Sequence, residues 1–307
     1  MSTATAPTGE RAGRQDGGSR GAASAVRAWV HRHVVVRLLG LLALPMGWLL
    51  LVYLVPLSLL FVTAFWGTDS FTGRVVREAS LDNFADLFRE PAYLLTMLRT
   101  VGVAVGVTVL CAVLALPMAY FMAHVASRRW QPVLVALVLT PLWASYLVKI
   151  YAWRTMLAPE GGLVADLAGL VGARGPGYGW PAVVLALTYL WLPYMILPLY
   201  TGLVAMRRSM LEAAADLGAR PWRVFRTVVL PLLAPSLVAG SVFTFSLSLG
   251  DYITVQLVGG TSQMLGNVVY QNFSVDLPFA AAAATLPVLV MVVYLLAVRR
   301  SGALRNL

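Results

Sequence analysis

The sequence predicts an all-α membrane protein: six transmembrane helices, both chain ends on the cytoplasmic side (N-in/C-in), and a polar helical elbow between spans four and five. Three observations carry this. Of 307 residues 59% are hydrophobic and 12% charged, against about half and about a quarter in a soluble domain. The apolar residues gather into runs long enough to cross a hydrocarbon core of roughly 30 Å at about 1.5 Å per residue. Arginines crowd onto alternate ends of those runs, as they do where segments stay on the cytoplasmic side.

Residues 1–37, rich in Gly, Ala, Ser and Arg, read as a disordered basic cytoplasmic tail with little to bury, leaving 38–307 as the membrane domain. The first apolar run begins too late and runs too long for a cleavable leader, so an uncleaved span is expected at about 38–66, with Pro45 and Pro56 able to bend it. Residues 67–95 carry Asp69, Glu78, Asp82, Asp86 and Glu90 beside Arg74, Arg77 and Arg89, an acidic surplus that suits the outer side. A second span at 96–125 leads to the basic inner turn Ser127-Arg128-Arg129, and a third follows at 131–153. The glycine-rich stretch 158–179 reads as an outer loop holding one short helix at 163–171. The fourth span, 181–203, contains Pro193 and Pro198, and Arg207 and Arg208 then return the chain to the inside. Spans five (230–249) and six (279–298) follow, and Arg299, Arg300 and Arg305 close the chain inside.

Between spans four and five lies the one polar island of any length in the second half of the chain. Ser209 followed three residues later by Glu212 is a capping box, so a helix starts there. Met210, Leu211, Ala213, Ala214 and Leu217 supply its apolar positions, and Gly218 can take the left-handed conformation that ends it. Pro221 suits the first turn of a second helix bearing Trp222, Val224 and Phe225 among Arg223 and Arg226, which runs into Leu230-Pro231. Side counting puts this elbow in the cytoplasm without using any of its own residues. A helix-turn-helix for DNA would need a soluble helical core, and membrane-length runs flank the elbow on both sides.

The spacing Glu212-Ala213-Ala214, Gly218, Val228, Leu230-Pro231 resembles the cytoplasmic signature of ABC importer permeases. What that resemblance implies is a coupling helix seated on a cytoplasmic ATPase, with Ser209, Glu212, Ala213, Ala214, Asp216, Gly218, Arg220, Pro221, Phe225, Leu230 and Pro231 as coupling residues. Arg220 stands where such permeases often have a small polar cap, so the second helix is expected to be less well capped. Further stretches, among them 115–123, 141–153, 192–200 and 250–273, are similar to the spermidine/putrescine class of these permeases. The resemblance covers about 81–298, with the transmembrane core at 95–298. It implies two ATPase copies, a second related permease forming a heterodimer, an extracytoplasmic solute-binding protein, residence in the bacterial cytoplasmic membrane, and no nucleic-acid partner. ATP would bind the ATPase, and no cofactor is expected on this subunit.

A polyamine path needs carboxylates or aromatic faces to offset the loss of water around its charges. Asp251 next to Tyr252 after span five is the first candidate, against a helix-end carboxylate satisfied by water or backbone. Trp143, Tyr146 and Tyr151 are candidates too, against an interfacial aromatic belt.

Catalysis is not expected. The chain has no G-x-x-x-x-G-K-[ST] loop for nucleotide. Its single Cys111 lies in an apolar run, and His31, His33 and His124 are too scattered for a metal site. The competing class is an ion-coupled carrier acting alone, which needs membrane-embedded carboxylate or histidine relays that these spans hardly contain.

Overall fold

A computed structural model of the chain describes residues 34–69, 72–170, 172, 174–206 and 220–300. Two units are distinguished, Met1–Leu60 and Phe61–Leu307. The described part of the first is a helical rod: α1 (Val34–Leu49), a π-helical turn (Leu50–Leu54) and the start of α2 (Val55–Thr63). Helix is thus already formed at Val34, inside the stretch expected as tail.

In the second unit a two-stranded antiparallel ribbon, β1 (Gly67–Thr68) and β2 (Val75–Val76), precedes α3 (Asp82–Arg89), neither of which the sequence reading anticipated. The buried Asn83 holds this segment by donating to the carbonyls of Ala64 (3.1 Å) and Trp66 (2.8 Å). The long helices follow as α4 (Pro91–Tyr120, extended by a π turn to Val125), α5 (Gln131–Trp143), α6 (Tyr146–Met156), α7 (Leu163–Leu170) and α8 (Trp180–Ala205). After the elbow come α9 (Pro221–Val224), α10 (Leu230–Leu249), α11 (Ile253–Val258), α12 (Leu265–Asn272) and α13 (Leu277–Arg300). Among the described residues five helical segments are long and apolar enough to cross a membrane, and the bent pair α5–α6 makes up to six.

Three expectations are corrected. The third span is not one rod: α5 and α6 meet at 91°. Ala144 (ψ 141°) and Ser145 (ψ 140°) are extended there, and Pro141 has already removed one ladder bond from the last turn of α5. The second helix of the elbow is not separate either, because α9 continues through a π turn (Phe225–Val229) into α10 and gives one span over Trp222–Leu249. Finally, the stretch 251–276, left without secondary structure from sequence, holds α11 and α12.

Two of the three π turns, Leu50–Leu54 and Phe225–Val229, have a common cause. A proline ring in a helix collides with the carbonyl four residues earlier. That residue is Val52 for Pro56 and Thr227 for Pro231, and each lies within a π turn, whose wider coil relieves the crowding.

Span four is the centre of the second unit: 56% of its apolar window is buried, against 22% for the α4 span and 28% for the α10 span. From α4 it receives Val107, Cys111, Ala115 and Ala119, all fully buried, at the four-residue steps of one helix face, while Ala104 packs with Phe245 and Leu249 of α10. Small side chains there let the backbones approach, and Cys111 Sγ reaches the Thr188 carbonyl at 3.6 Å. On the other side Gly240 of α10 lies against Met195, where a β-carbon would come within 3.2 Å of Met195 Cα. Gly240→Val should therefore lower the thermal stability of the detergent-purified protein by about 1–3 kcal/mol through overpacking. An unchanged melting temperature would show that α8 and α10 can separate at no cost.

Candidate functional site

Asp251 occupies the turn between α10 and α11, and only 6% of its surface is exposed. A carboxylate taken out of water must have its oxygens occupied. Its Oδ1 accepts the Thr254 backbone N–H at 2.8 Å, which ties the first turn of α11 to the end of α10. Its Oδ2 accepts the Thr254 hydroxyl at 3.1 Å and the Tyr146 hydroxyl, and those two hydroxyls are 3.0 Å apart. Tyr146 is the first residue of α6, so the bend in the third span is what aims its phenol at the turn after span five. The Tyr146 ring stacks on Trp191 of α8, with centroids 6.1 Å apart and planes at 18°.

All of the hydrogen bonds to this carboxylate come from neutral groups. Lys149, one turn along α6, makes no ion pair with it, nor does any other described residue.

The other side of the turn is braced by the α11–α12 hairpin. Asn267 donates to the Tyr252 carbonyl at 3.1 Å and accepts the Met264 N–H at 3.2 Å. The hairpin in turn sits on α4, where Thr100 Oγ1 accepts the Leu265 N–H at 2.9 Å. Tyr252 stacks on Tyr270 at 4.8 Å. Gly266 packs closely beneath them, where a β-carbon would come to 3.0 Å from Tyr252 Cβ. Beside this pair opens a cleft of about 300 Å³, mostly apolar, with Phe273 on its rim.

Of the five path candidates, then, Tyr146, Asp251 and Tyr252 are brought to one place. Trp143 (83% exposed) and Tyr151 (52% exposed) face outward from α5 and α6 and join no contact with that cluster. Thr254 and Trp191 are neighbours of this cluster that sequence reasoning missed. A signal for Thr254 did exist, since a hydroxyl three residues after an aspartate commonly closes such a turn.

Of the residues expected to couple to an ATPase, Ser209, Glu212, Ala213, Ala214, Asp216 and Gly218 lie outside the described residues. Arg220 is exposed, and its carbonyl accepts the N–H groups of Arg223 (2.8 Å) and Val224 (3.0 Å), which starts the helix at Pro221. Phe225 packs partly against the core, whereas Trp222, stacked on it at 5.6 Å, is 70% exposed. Leu230 and Pro231 are exposed at the start of α10. A cavity of about 600 Å³ opens at the ends of α4, α5 and α8, lined by His124, Ser127, Arg128 and Gln131 on one side and Val204 and Met206 on the other. No group of three or more His, Cys, Asp or Glu that could hold a metal occurs among the described residues.

Membrane-length helices and a broken span locked to the turn after span five define a polytopic helical membrane protein. Residues 112–301 match the family described as "Binding-protein-dependent transport system inner membrane component". The chain is 41% identical to the inner membrane ABC transporter permease protein YdcU of Escherichia coli K12, over 84% of this chain and 88% of that one. It is 33% identical to the spermidine/putrescine transport system permease protein PotB of Salmonella typhimurium SL1344, over 85% and 92%. Its fold matches a chain of a solved bacterial ABC transporter involved in import of the acidic polysaccharide alginate (TM-score 0.67, 17% identity, 94% of this chain and 99% of that one). The chain belongs to the binding-protein-dependent inner-membrane transport components: it is an ABC importer permease, a multi-pass protein of the inner membrane.

The shared Oδ2 makes the lock testable. Tyr146→Phe and Thr254→Val should each cost about 1–3 kcal/mol, since each withdraws a donor from a buried carboxylate. The double variant should depart from the sum of the two, because both act on one oxygen. Strict additivity in thermal unfolding of the purified protein would mean that the three groups do not act together.

Proposed function

We propose that this permease carries a polyamine of the spermidine/putrescine kind, or a similar small organic cation, inward across the membrane. The observation that carries this is Asp251, a buried carboxylate with only neutral donors around it, set against the Tyr146 and Trp191 rings. A protonated amine supplies the missing positive charge, and aromatic faces attract the same group. The spermidine and putrescine for which the PotB relatives are named agree with that chemistry.

In this reading the subunit pairs with a second, related permease and receives solute from an extracytoplasmic binding protein. Two copies of a separate ATPase bind and hydrolyse ATP, so the permease itself needs no cofactor. Both chain ends and the elbow face the cytoplasm. Closure of the ATPases on ATP pulls the elbow, and the continuous segment from Trp222 to Leu249 carries that movement toward Asp251. Exposed Arg220 and Trp222 offer a cation and an aromatic anchor to the ATPase groove.

Two experiments test this. Glu212→Ala and Gly218→Leu should abolish ATP-driven uptake in the assembled transporter while membrane insertion and yield stay at the parent level. Normal uptake in either variant would remove the elbow from the mechanism. Proteoliposomes holding the full transporter should accumulate labelled putrescine or spermidine only with ATP available to the ATPase. Uptake driven by an ion gradient without ATPase would instead make the chain a carrier acting alone.

A further inference from the structure

Beyond the Asp251 lock, the rings on α6, α8 and α10 are not scattered. Tyr146 stacks on Trp191 (6.1 Å), Trp191 meets Tyr194 at 5.9 Å and 60°, and Tyr194 meets Phe243 at 6.3 Å and 33°. Trp191 and Tyr194 are three residues apart, hence on one face of α8. Phe243 stands on α10 with 53% of its surface exposed. Four rings therefore follow one another away from the carboxylate, each close enough to the next for a small cation to touch both.

Two further observations separate this run from ordinary packing. The Trp191 Nε1–H is buried without an acceptor. An orphaned N–H is unfavourable, and a phenylalanine would avoid it, so what the indole contributes at this position is its large face. Moreover, no lysine or arginine lies over these rings among the described residues, where the cation–π contact found is Arg77 on Trp66. Tyr146 and Trp191 are partly buried against the core, and Phe243 is the exposed end of the run.

We propose that Trp191, Tyr194 and Phe243 prolong the Asp251–Tyr146 pair into a run of aromatic faces that hands a protonated amine along α8 and α10, and so set the preference for organic cations over neutral solutes. This rests on the proposed import of a polyamine. The carboxylate draws the cation out of water, and the rings hold it by quadrupole attraction that is weak enough at each step to let it go.

The test uses the assembled transporter in proteoliposomes and labelled putrescine, with Trp191 replaced by Phe, by Leu, and by mono-, di- and trifluorinated tryptophan. Fluorine drains negative charge from the ring face and hardly alters its size. The logarithm of kcat/KM should fall steadily with fluorine number, and Trp191→Leu should lose roughly three- to thirty-fold, with Trp191→Phe in between. A flat fluorine series, with only the leucine variant impaired, would show that Trp191 is packing and would overturn the inference. Absence of putrescine and spermidine uptake by the parent transporter would sink the polyamine reading itself, a result distinct from a flat series.

Discussion

Burying a carboxylate in a protein that has so few charges constrains everything near it. Asp251 cannot turn to water, so its two oxygens must be met by groups held rigidly in place, and the fold is arranged to hold them. The 91° break between α5 and α6 delivers the Tyr146 hydroxyl, and the tight start of α11 delivers both donors of Thr254. The α11–α12 hairpin, pinned to α4 through Thr100, fixes the turn from behind. Unbending the third span would withdraw the phenol and leave the carboxylate short of a donor. A local electrostatic requirement therefore accounts for a long-range feature of the backbone.

The same economy governs the helices. In a bilayer each backbone amide must find its partner within the protein, so a proline inside a span has to be accommodated and not simply frayed into solvent. Here the wider π turns around Val52 and Thr227 do this for Pro56 and Pro231. Helix contacts rely on small residues, with alanines of α4 and Gly240 of α10 giving α8 close neighbours on two sides. Association in an apolar solvent depends on such fit, because lipid tails offer side chains much the same environment as the core does.

How much of this could be read from residues alone follows from which forces are local. Span positions came from hydropathy, a property of each run by itself, and the observed ends differ from those expected by a few residues except where helices merge or break. The elbow's signature lies within one short stretch and identified the family. What escaped was set by contacts distant in sequence: the bend at Ala144-Ser145, the ribbon near Asn83, and the α11–α12 hairpin held by Thr100 and Asn267. Asp251 and Tyr146 were both singled out, yet their meeting across 105 positions was not foreseeable, because no periodicity relates α6 to the end of α10. Trp143 looked equivalent to Tyr146 in the sequence, and only the bend separates a ring that faces outward from one that meets the carboxylate.

The union of α9 with α10 bears on mechanics. From Trp222 to Leu249 the backbone forms a single column of 28 residues, about 42 Å long at about 1.5 Å per residue. A column of that kind behaves as a pushrod: a tilt imposed at its foot reappears at its head, with the looser π coil as the one place where it can flex early. Because Gly250 caps the head and Asp251 follows it, a tilt of the column displaces the donors around the carboxylate. A tilt of this column would thereby register as a change of proton-donor geometry at its far end.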